Sequence, residues 1–382
     1  MADKYLVDPD LGFIQEVAGM GGDTLKKCFQ CATCSVACQI SPDTKPFPRK
    51  EMIAASWGLK DRLVGNHDIW LCHNCGDCST LCPRGAKPGD VLAAIRTYAV
   101  NHYAVPKQVV KMVNNPKMLP VMFLIPAVLI IGLGLILKLF GVNFLNFPSG
   151  GDQIVHANFI STWLVDMIFV PLAAWAVAVF AWGLKNFITD IHENALQSGK
   201  TDKKELELVG FIKALIQVIP KILKHENFSE CTENKPRTTS HMMVLFSFIS
   251  LFIVTNIFFV HIYVLQWHGP YSMLHPVKWL ANVAGVALII GAFIMLKDRL
   301  AKTDQVSVYK DWYLIGLALG LGVTGMLTEM SRLAGAAEIS YALYFLHLIF
   351  VFNLFAFVPF SKLAHLAYRT VALTYEEYSG RK

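Results

Sequence analysis

Six long apolar segments follow one another after residue 117: Met118–Leu137, Phe159–Leu184, Met242–Trp267, Trp279–Leu296, Trp312–Thr328 and Ile339–Ser361. A helix crosses the hydrocarbon core of a bilayer with about 20 apolar residues, so each segment is a candidate span. Helices buried in a large soluble core are the alternative, and six such runs in one chain are too many for it. Pro126, Gly132, Pro171, Gly285 and Gly320 lie inside these runs. Lipid-embedded bundles tolerate them because neighbouring helices re-satisfy the freed backbone groups. Composition agrees: of 382 residues, 54% are hydrophobic and only 16% charged, against about a quarter charged in soluble domains. An ordinary soluble protein and a disordered chain are both excluded. The net charge of +6, spread over so apolar a chain, points to membrane topology and not to nucleic acid.

Lysine and arginine mark the sides of the membrane. Residues 185–240 carry Lys185, Lys200, Lys203, Lys204, Lys213, Lys221, Lys224, Lys235 and Arg237, and the loop 297–310 carries Lys297, Arg299, Lys302 and Lys310. The alternate loops are nearly bare of them. By the positive-inside rule, both termini lie in the cytoplasm, the chain is a multi-pass inner-membrane protein, and the first, third and fifth spans run outward. The first 27 residues carry Asp3, Lys4, Asp8, Asp10 and Glu16 with no basic-then-apolar pattern, so no signal peptide is expected. Leu206–Leu223, within 203–225, is amphipathic. Lys213, Gln217, Lys221 and Lys224 share one side, and Leu208, Phe211, Leu215, Ile219 and Ile222 the other. This suits a helix in the membrane interface or a connector packed on the polar head.

Eight of nine cysteines fall between Cys28 and Cys82. Cys28, Cys31, Cys34 and Cys38 form C-x2-C-x2-C-x3-C; Cys72, Cys75, Cys78 and Cys82 repeat it, followed by Pro83. This is the run of two-cluster ferredoxins, in which the fourth cysteine serves the other cluster. Three thiolates within seven residues wrap one face of a cubane while the fourth points away. The expected sets are Cys28, Cys31, Cys34 with Cys82, and Cys72, Cys75, Cys78 with Cys38, holding two [4Fe–4S] clusters. Zinc prefers paired C-x2-C units closing one tetrahedron, and disulfides are disfavoured in a cytoplasmic head. Between the runs, Arg49–Leu59 reads as helix and little reads as strand, so an α-helical ferredoxin-like arrangement is expected. Cys231 reads as a bystander. The whole is expected to be all-α: residues 1–110 a ferredoxin-like domain, residues 111–382 a six-span bundle of cytochrome b type.

Ligand-capable residues inside a membrane are functional candidates. His347 and His365 are 18 residues apart, five turns of one helix, which would put them on one face near opposite surfaces. His241 starts the third span and His261 ends it. With the spans antiparallel, His241 and His365 fall on the cytoplasmic side, and His261 and His347 on the outer side. Two bis-histidine haems b would use all four. His241 and His261 differ by about 200° around a straight helix, so His156, His268 or His275 are alternatives to His261 as outer ligand. Asp166, Glu329 and Arg332 lie near the outer half. Glu329 and Arg332 read as an ion pair, or Glu329 and Asp166 as a proton site for quinol.

With KCFQCATCSVAC and LCHNCGDCSTLCP, the head resembles the C subunit of heterodisulfide reductases. The body from about Arg237, above all FLHLIFVFNLFAFVPFSKLAHL, resembles the gamma subunit of respiratory nitrate reductases and the membrane subunit of heterodisulfide reductase. In that resemblance His347 and His365 match haem ligands on the last helix, and His241 matches the inner ligand of an earlier one. Head and body together resemble the membrane subunits of the quinone-interacting oxidoreductase complexes of sulfate reducers. The resemblance implies soluble flavin and iron–sulfur partner subunits and, beyond them, adenylylsulfate reductase. The expected activity is electron transfer from menaquinol through haems and clusters to those subunits. A heterodisulfide- or sulfite-related complex, or a haem-free anchor or transporter with a ferredoxin-like head, are the rivals.

Overall fold

The computed structural model describes residues 8–146, 153–225, 237–269, 271–301 and 306–381. Cys231, Lys235 and Lys302 lie outside them. No strand occurs among the described residues; a single antiparallel bridge joins Leu145 and Ile160.

Among the described residues, eight α-helices build most of the head: α1 (Leu11–Val17), α2 (Thr33–Ala37), α3 (Arg49–Ser56), α4 (Asp61–Val64), α5 (Asp68–Leu71), α6 (Asp77–Thr80), α7 (Pro88–Tyr103) and α8 (Lys107–Asn114). Asp10 caps α1 by accepting the Phe13 N–H at 2.9 Å, as an N-cap carboxylate should. Pro88 opens α7 at its first turn, where its missing N–H leaves no bond unmade. The longest of these, α7, buries Val91, Leu92, Ala94, Ile95 and Ala99.

The six expected spans are all helical, with bounds moved by a few residues at most ends: α9 (Leu119–Leu139), α11 (Thr162–Gln197, after the one-turn α10, His156–Phe159), α13 (Arg237–Tyr263), α14 (Pro276–Ala301), α15 (Tyr309–Leu333) and α16 (Ala337–Phe357). Each is long and apolar enough to cross a membrane. Helices α13 to α16 pack in sequential antiparallel order, with α9 and α11 against α16.

Three features depart from the sequence reading. First, α11 does not stop at Leu184. It runs 36 residues to Gln197, and its last turns bury Phe187, Ile191 and Ala195 in the head. Loss of apolarity at Lys185 ends the membrane run but not the helix, because the head supplies a new packing partner. Second, the head core is shared across residue 110. Trp70 stacks on Tyr368 at 5.5 Å and meets Phe187 edge-on at 5.8 Å, so 1–110 alone does not close it. Third, the last span and His365 do not share one helix. After Phe357 come a turn at Val358–Phe360, an extended Ser361, a turn at Lys362–Ala364, and then α17 (His365–Ser379). Pro359, inside the first turn, cannot donate a helix hydrogen bond.

The amphipathic segment forms α12 (Leu208–Lys224). Phe211, Ala214 and Val218 are buried, with Phe211 beside the Tyr378 ring of α17. Val209, Ile212, Ile216, Ile219 and Leu223 stay exposed. The helix therefore has two apolar faces, one on the protein and one open.

Candidate functional site

The two cysteine loops have the same backbone. Gln30 and Asn74 are left-handed (φ 60° and 52°), and so are Ala32 (φ 71°) and Gly76 (φ 103°). These pairs occupy equivalent places in the two motifs, and each loop then enters a short helix, α2 or α6. Left-handed backbone at three non-glycine residues is uncommon and gathers at functional sites. The turns curl each run of thiols around a common centre.

Cys38 joins Cys72, Cys75 and Cys78 around one cavity, as the crossed-ligand pattern requires. Burial first, and then the Cys72 and Cys75 thiols, push Cys38 up to about 12. Cys78 is raised for the same reasons. In the first loop, burial and the neighbouring Cys28 raise Cys34 to about 11. Buried thiols crowded in this way become good thiolate donors only with a cation among them, which is the chemistry of an iron–sulfur ligand set. The Asn74 N–H points at Cys72 Sγ at 3.3 Å. Cys28, Cys38 and Cys82 pack at the edge of the same core.

Behind the second loop lies a cavity of about 400 Å³, lined by His73, His225, His241, His365, Leu245, Leu366 and Arg369, among others. His241 and His365 face each other across it with ring centroids 6.4 Å apart. Two metal–imidazole bonds of about 2 Å each, plus the half-width of each ring, give roughly 6 Å, so the two imidazoles are spaced as a pair that could hold one metal ion between them. Nδ1 of His365 bonds the Lys362 carbonyl. This fixes the tautomer that presents Nε2 as ligand atom. Nδ1 of His241 meets Nε2 of His225 at 2.9 Å. The lining mixes apolar side chains with Lys221, Arg369 and Arg381 as well as Glu376 and Glu377, and the volume suits a flat macrocycle whose carboxylates meet the three cations.

His73 and Ile40 line both cavities. Arg369, one turn after His365 on α17, reaches the His73 ring at 2.7 Å and the Leu71 carbonyl at 3.3 Å. Burial, with the Arg369 cation second, lowers His73 to about 2. Neither His73 nor His225 stands out in the sequence. The one signal was the place of His73 inside the C-H-N-C run.

The outer pair expected from the sequence is not brought together. His261 is two residues from the end of α13, and His347 is ten residues into α16. At 1.5 Å per residue they lie about 3 Å and 15 Å from the same far side of the bundle. His261 clusters with Trp267, Tyr271 and His275, and its buried Nδ1 has no hydrogen-bond partner among the described residues. His347 bonds Thr324 Oγ1 at 2.9 Å instead, and its ring lies against Gly325, where a Cβ would come within 3.1 Å. His156 bonds Ser340 at 2.9 Å.

The carboxylates also separate. Glu329 accepts from Lys278 at 2.9 Å and from Arg332 at 2.9 Å, so the ion-pair reading holds and gains a second cation. Asp166 accepts the Tyr263 hydroxyl. Among the described residues, no hydrogen bond or ion pair joins Asp166 to Glu329. A carboxylate clamped by two cations is a strut between α14 and α15, which weakens the proton-site reading.

Deeper in the head, Asp68 accepts ion pairs from Lys50 at 2.7 Å and Lys200 at 2.9 Å, and from Arg381. His67 lies 2.9 Å from Glu376. His67, Asp68 and Glu376 are close enough to hold a metal, but three cations already occupy these carboxylates. The cluster locks the C-terminal residues to the helix that precedes Cys72.

Comparison with known proteins settles the head. Residues 24–86 match the family described as 4Fe-4S dicluster domain. Over 90 residues (24% of this chain, 49% of the relative) the chain is 36% identical to the C subunit of the H(2):CoB-CoM heterodisulfide,ferredoxin reductase of Methanothermobacter marburgensis. Over 106 residues (28% and 56%) it is 31% identical to a protein of Archaeoglobus profundus described as like the C subunit of heterodisulfide reductase. The match spans about half the length of these relatives. Over 375 residues (91% of this chain, 89% of the relative) it is 25% identical to citrate utilization protein B of Escherichia coli. No solved structure matches. The chain is thus an iron–sulfur electron-transfer membrane protein whose head is similar to the C subunits of heterodisulfide reductases.

Proposed function

We propose that the chain is the membrane subunit of a respiratory oxidoreductase complex and moves electrons between menaquinol in the bilayer and a cytoplasmic flavin/iron–sulfur partner. The observation that carries this reading is the wall shared by the two cavities. His73 and Ile40 face the Cys38, Cys72, Cys75, Cys78 set on one side and the His241, His365 pair on the other. Sites for two redox groups that share a wall of two residues suit one-electron traffic.

Cys72, Cys75, Cys78 and Cys38 hold one [4Fe–4S] cluster in this reading, and Cys28, Cys31, Cys34 and Cys82 the other. His241 and His365 would hold a haem b. His347 would be a ligand of a second haem b, and His261, at another depth, would not complete its site. Bound haem and clusters supply one-electron carriers at potentials set by ligand and burial. The chain's own work is to hold them. His225 and the Lys362 carbonyl orient the two imidazoles, and Arg369 fixes His73 against the cysteine loop.

Adenylylsulfate reductase as the final acceptor rests on the family resemblance of head plus body. A second reading is favoured by the near full-length similarity to citrate utilization protein B: the same head and body serving a citrate-related oxidoreductase. Subunits that co-purify with the chain from its own cells separate the two. The shared mechanism is tested by adding a menaquinol analogue to the purified, cluster-loaded chain in nanodiscs. Reduction of a b-type band and of an iron–sulfur signal is expected. A chain that binds no haem, or whose clusters stay oxidised, overturns the reading.

A further inference from the structure

The two cysteine loops differ in what surrounds them. Cys72 and Cys78 are buried, whereas Cys31 is exposed. Around the first loop stand three large apolar side chains with little cover: Phe29 at 66% exposure, Val36 at 85% and Leu81 at 58%. They form one patch. Helices α2 and α6, which carry or precede Val36 and Leu81, pack together, and Arg84 lies 4.0 Å over the Phe29 ring. Exposed apolar clusters with a polar rim mark interaction sites.

The rim is mostly basic. Across residues 23–38 and 72–85 the exposed charged side chains are Lys26, Lys27 and Arg84 against Asp23. Arg49 adds a fourth cation, bonding the Gln30 carbonyl at 2.9 Å through its side chain and Ser35 Oγ at 3.1 Å through its backbone N–H. The patch also sits at the end of the cofactor row away from the histidine cavity. Cys38 and its partners face that cavity through His73, so the first loop is where the row reaches the surface.

We propose that this face, centred on Cys31 with Phe29, Val36 and Leu81, is the docking surface for a soluble electron-transfer protein that presents carboxylates around an apolar centre. The proposal rests on the electron-transfer reading above and adds the surface and the chemistry of the partner. Opposite charge steers encounter and fixes orientation. The apolar centre excludes water between the exposed cluster edge and the partner's cofactor.

The test uses the full, cluster-loaded chain in nanodiscs of neutral lipid, with an acidic plant-type [2Fe–2S] ferredoxin as probe and a basic cytochrome c as control. Carbodiimide cross-links from ferredoxin carboxylates should map to Lys26 and Lys27, and binding should weaken as salt rises. Lys27→Glu with Arg84→Glu should weaken ferredoxin binding at least tenfold. Val36→Ser, which keeps every charge, should weaken it several-fold. Visible and EPR spectra report whether the clusters survive in each variant. Cross-links spread over lysines elsewhere, such as Lys107 and Lys203, overturn the proposal. So does equal binding of cytochrome c, or indifference to both sets of substitutions. Reduction by a menaquinol analogue is measured on the same samples. Its failure with intact patch binding counts against the electron-transfer reading alone, and its success without patch binding counts against the docking surface alone.

Discussion

The imidazoles of His241 and His365 stand with ring centroids 6.4 Å apart and planes at 67°, although 124 positions separate them in sequence. One begins the third span; the other begins a helix that lies beyond the last span. Removing either imidazole should empty the site. His241→Ala and His365→Ala are each expected to lose one haem per chain by pyridine haemochrome assay. His261→Ala is expected to keep the full content, because its ring lies about 12 Å shallower than His347 by helical rise. Loss of haem from His261→Ala would restore the outer pairing read from the sequence.

Cys38 lines one cavity with Cys72, Cys75 and Cys78, and the proposed assignment gives it to their cluster and not to that of its own run. Cys38→Ser should therefore damage the cluster beside the histidine cavity and spare the exposed one. Iron should fall from about eight to about four per chain, and the surviving EPR signal should match that of Cys72→Ser. A signal matching Cys28→Ser would put Cys38 in the other set.

Arg369 holds a fixed cation against His73, between the two cavities. Arg369→Gln removes that charge and should lower the potential of the neighbouring haem by tens of millivolts, since each 59 mV is tenfold for one electron. Redox titration of the b-type band checks it, and an unchanged midpoint would show the charge to be screened.

Glu51 is buried, and burial, with Asp68 as its next largest influence, pushes its carboxyl up to about 8 from an ordinary 4.5. Between those values the folded head holds a proton that the unfolded chain releases, so stability falls as pH rises across that window. Below it Glu51 is neutral in both states. Asp68 runs the other way: burial would raise it, but Lys200, His67, Lys50 and Arg381 hold it low, so its contribution is lost only at the acid end. Thermal unfolding of Glu51→Gln should show a flatter dependence between pH 5 and 8 than the parent. An equal slope would assign the loss to another group.

Glu329 is braced by Lys278 and Arg332. Glu329→Gln should leave menaquinol-driven reduction within about twofold and lower thermal stability, by about 1 kcal/mol for a half-buried pair. A tenfold loss of reduction at unchanged stability would return Glu329 to a proton pathway.

The sequence by itself determined the parts whose signal is local. Spacing within the two cysteine runs gave the dicluster head, because a cubane constrains ligands a few residues apart. Apolar length gave the six spans, because the bilayer sets a minimum run. It could not determine where the last span ends, since Pro359 is compatible with a kink as well as a stop. It also could not show that α11 outlives its apolar run, since that continuation is stabilised by Trp70 and Tyr368 from distant segments. Pairing across the bundle was beyond it for the same reason. Which histidines face each other depends on helix depth and rotation, which are fixed by packing between elements. His225 and Arg369 carry no local pattern, His73 carries only its place between Cys72 and Cys75, and only the tertiary structure places all three on the walls of one cavity.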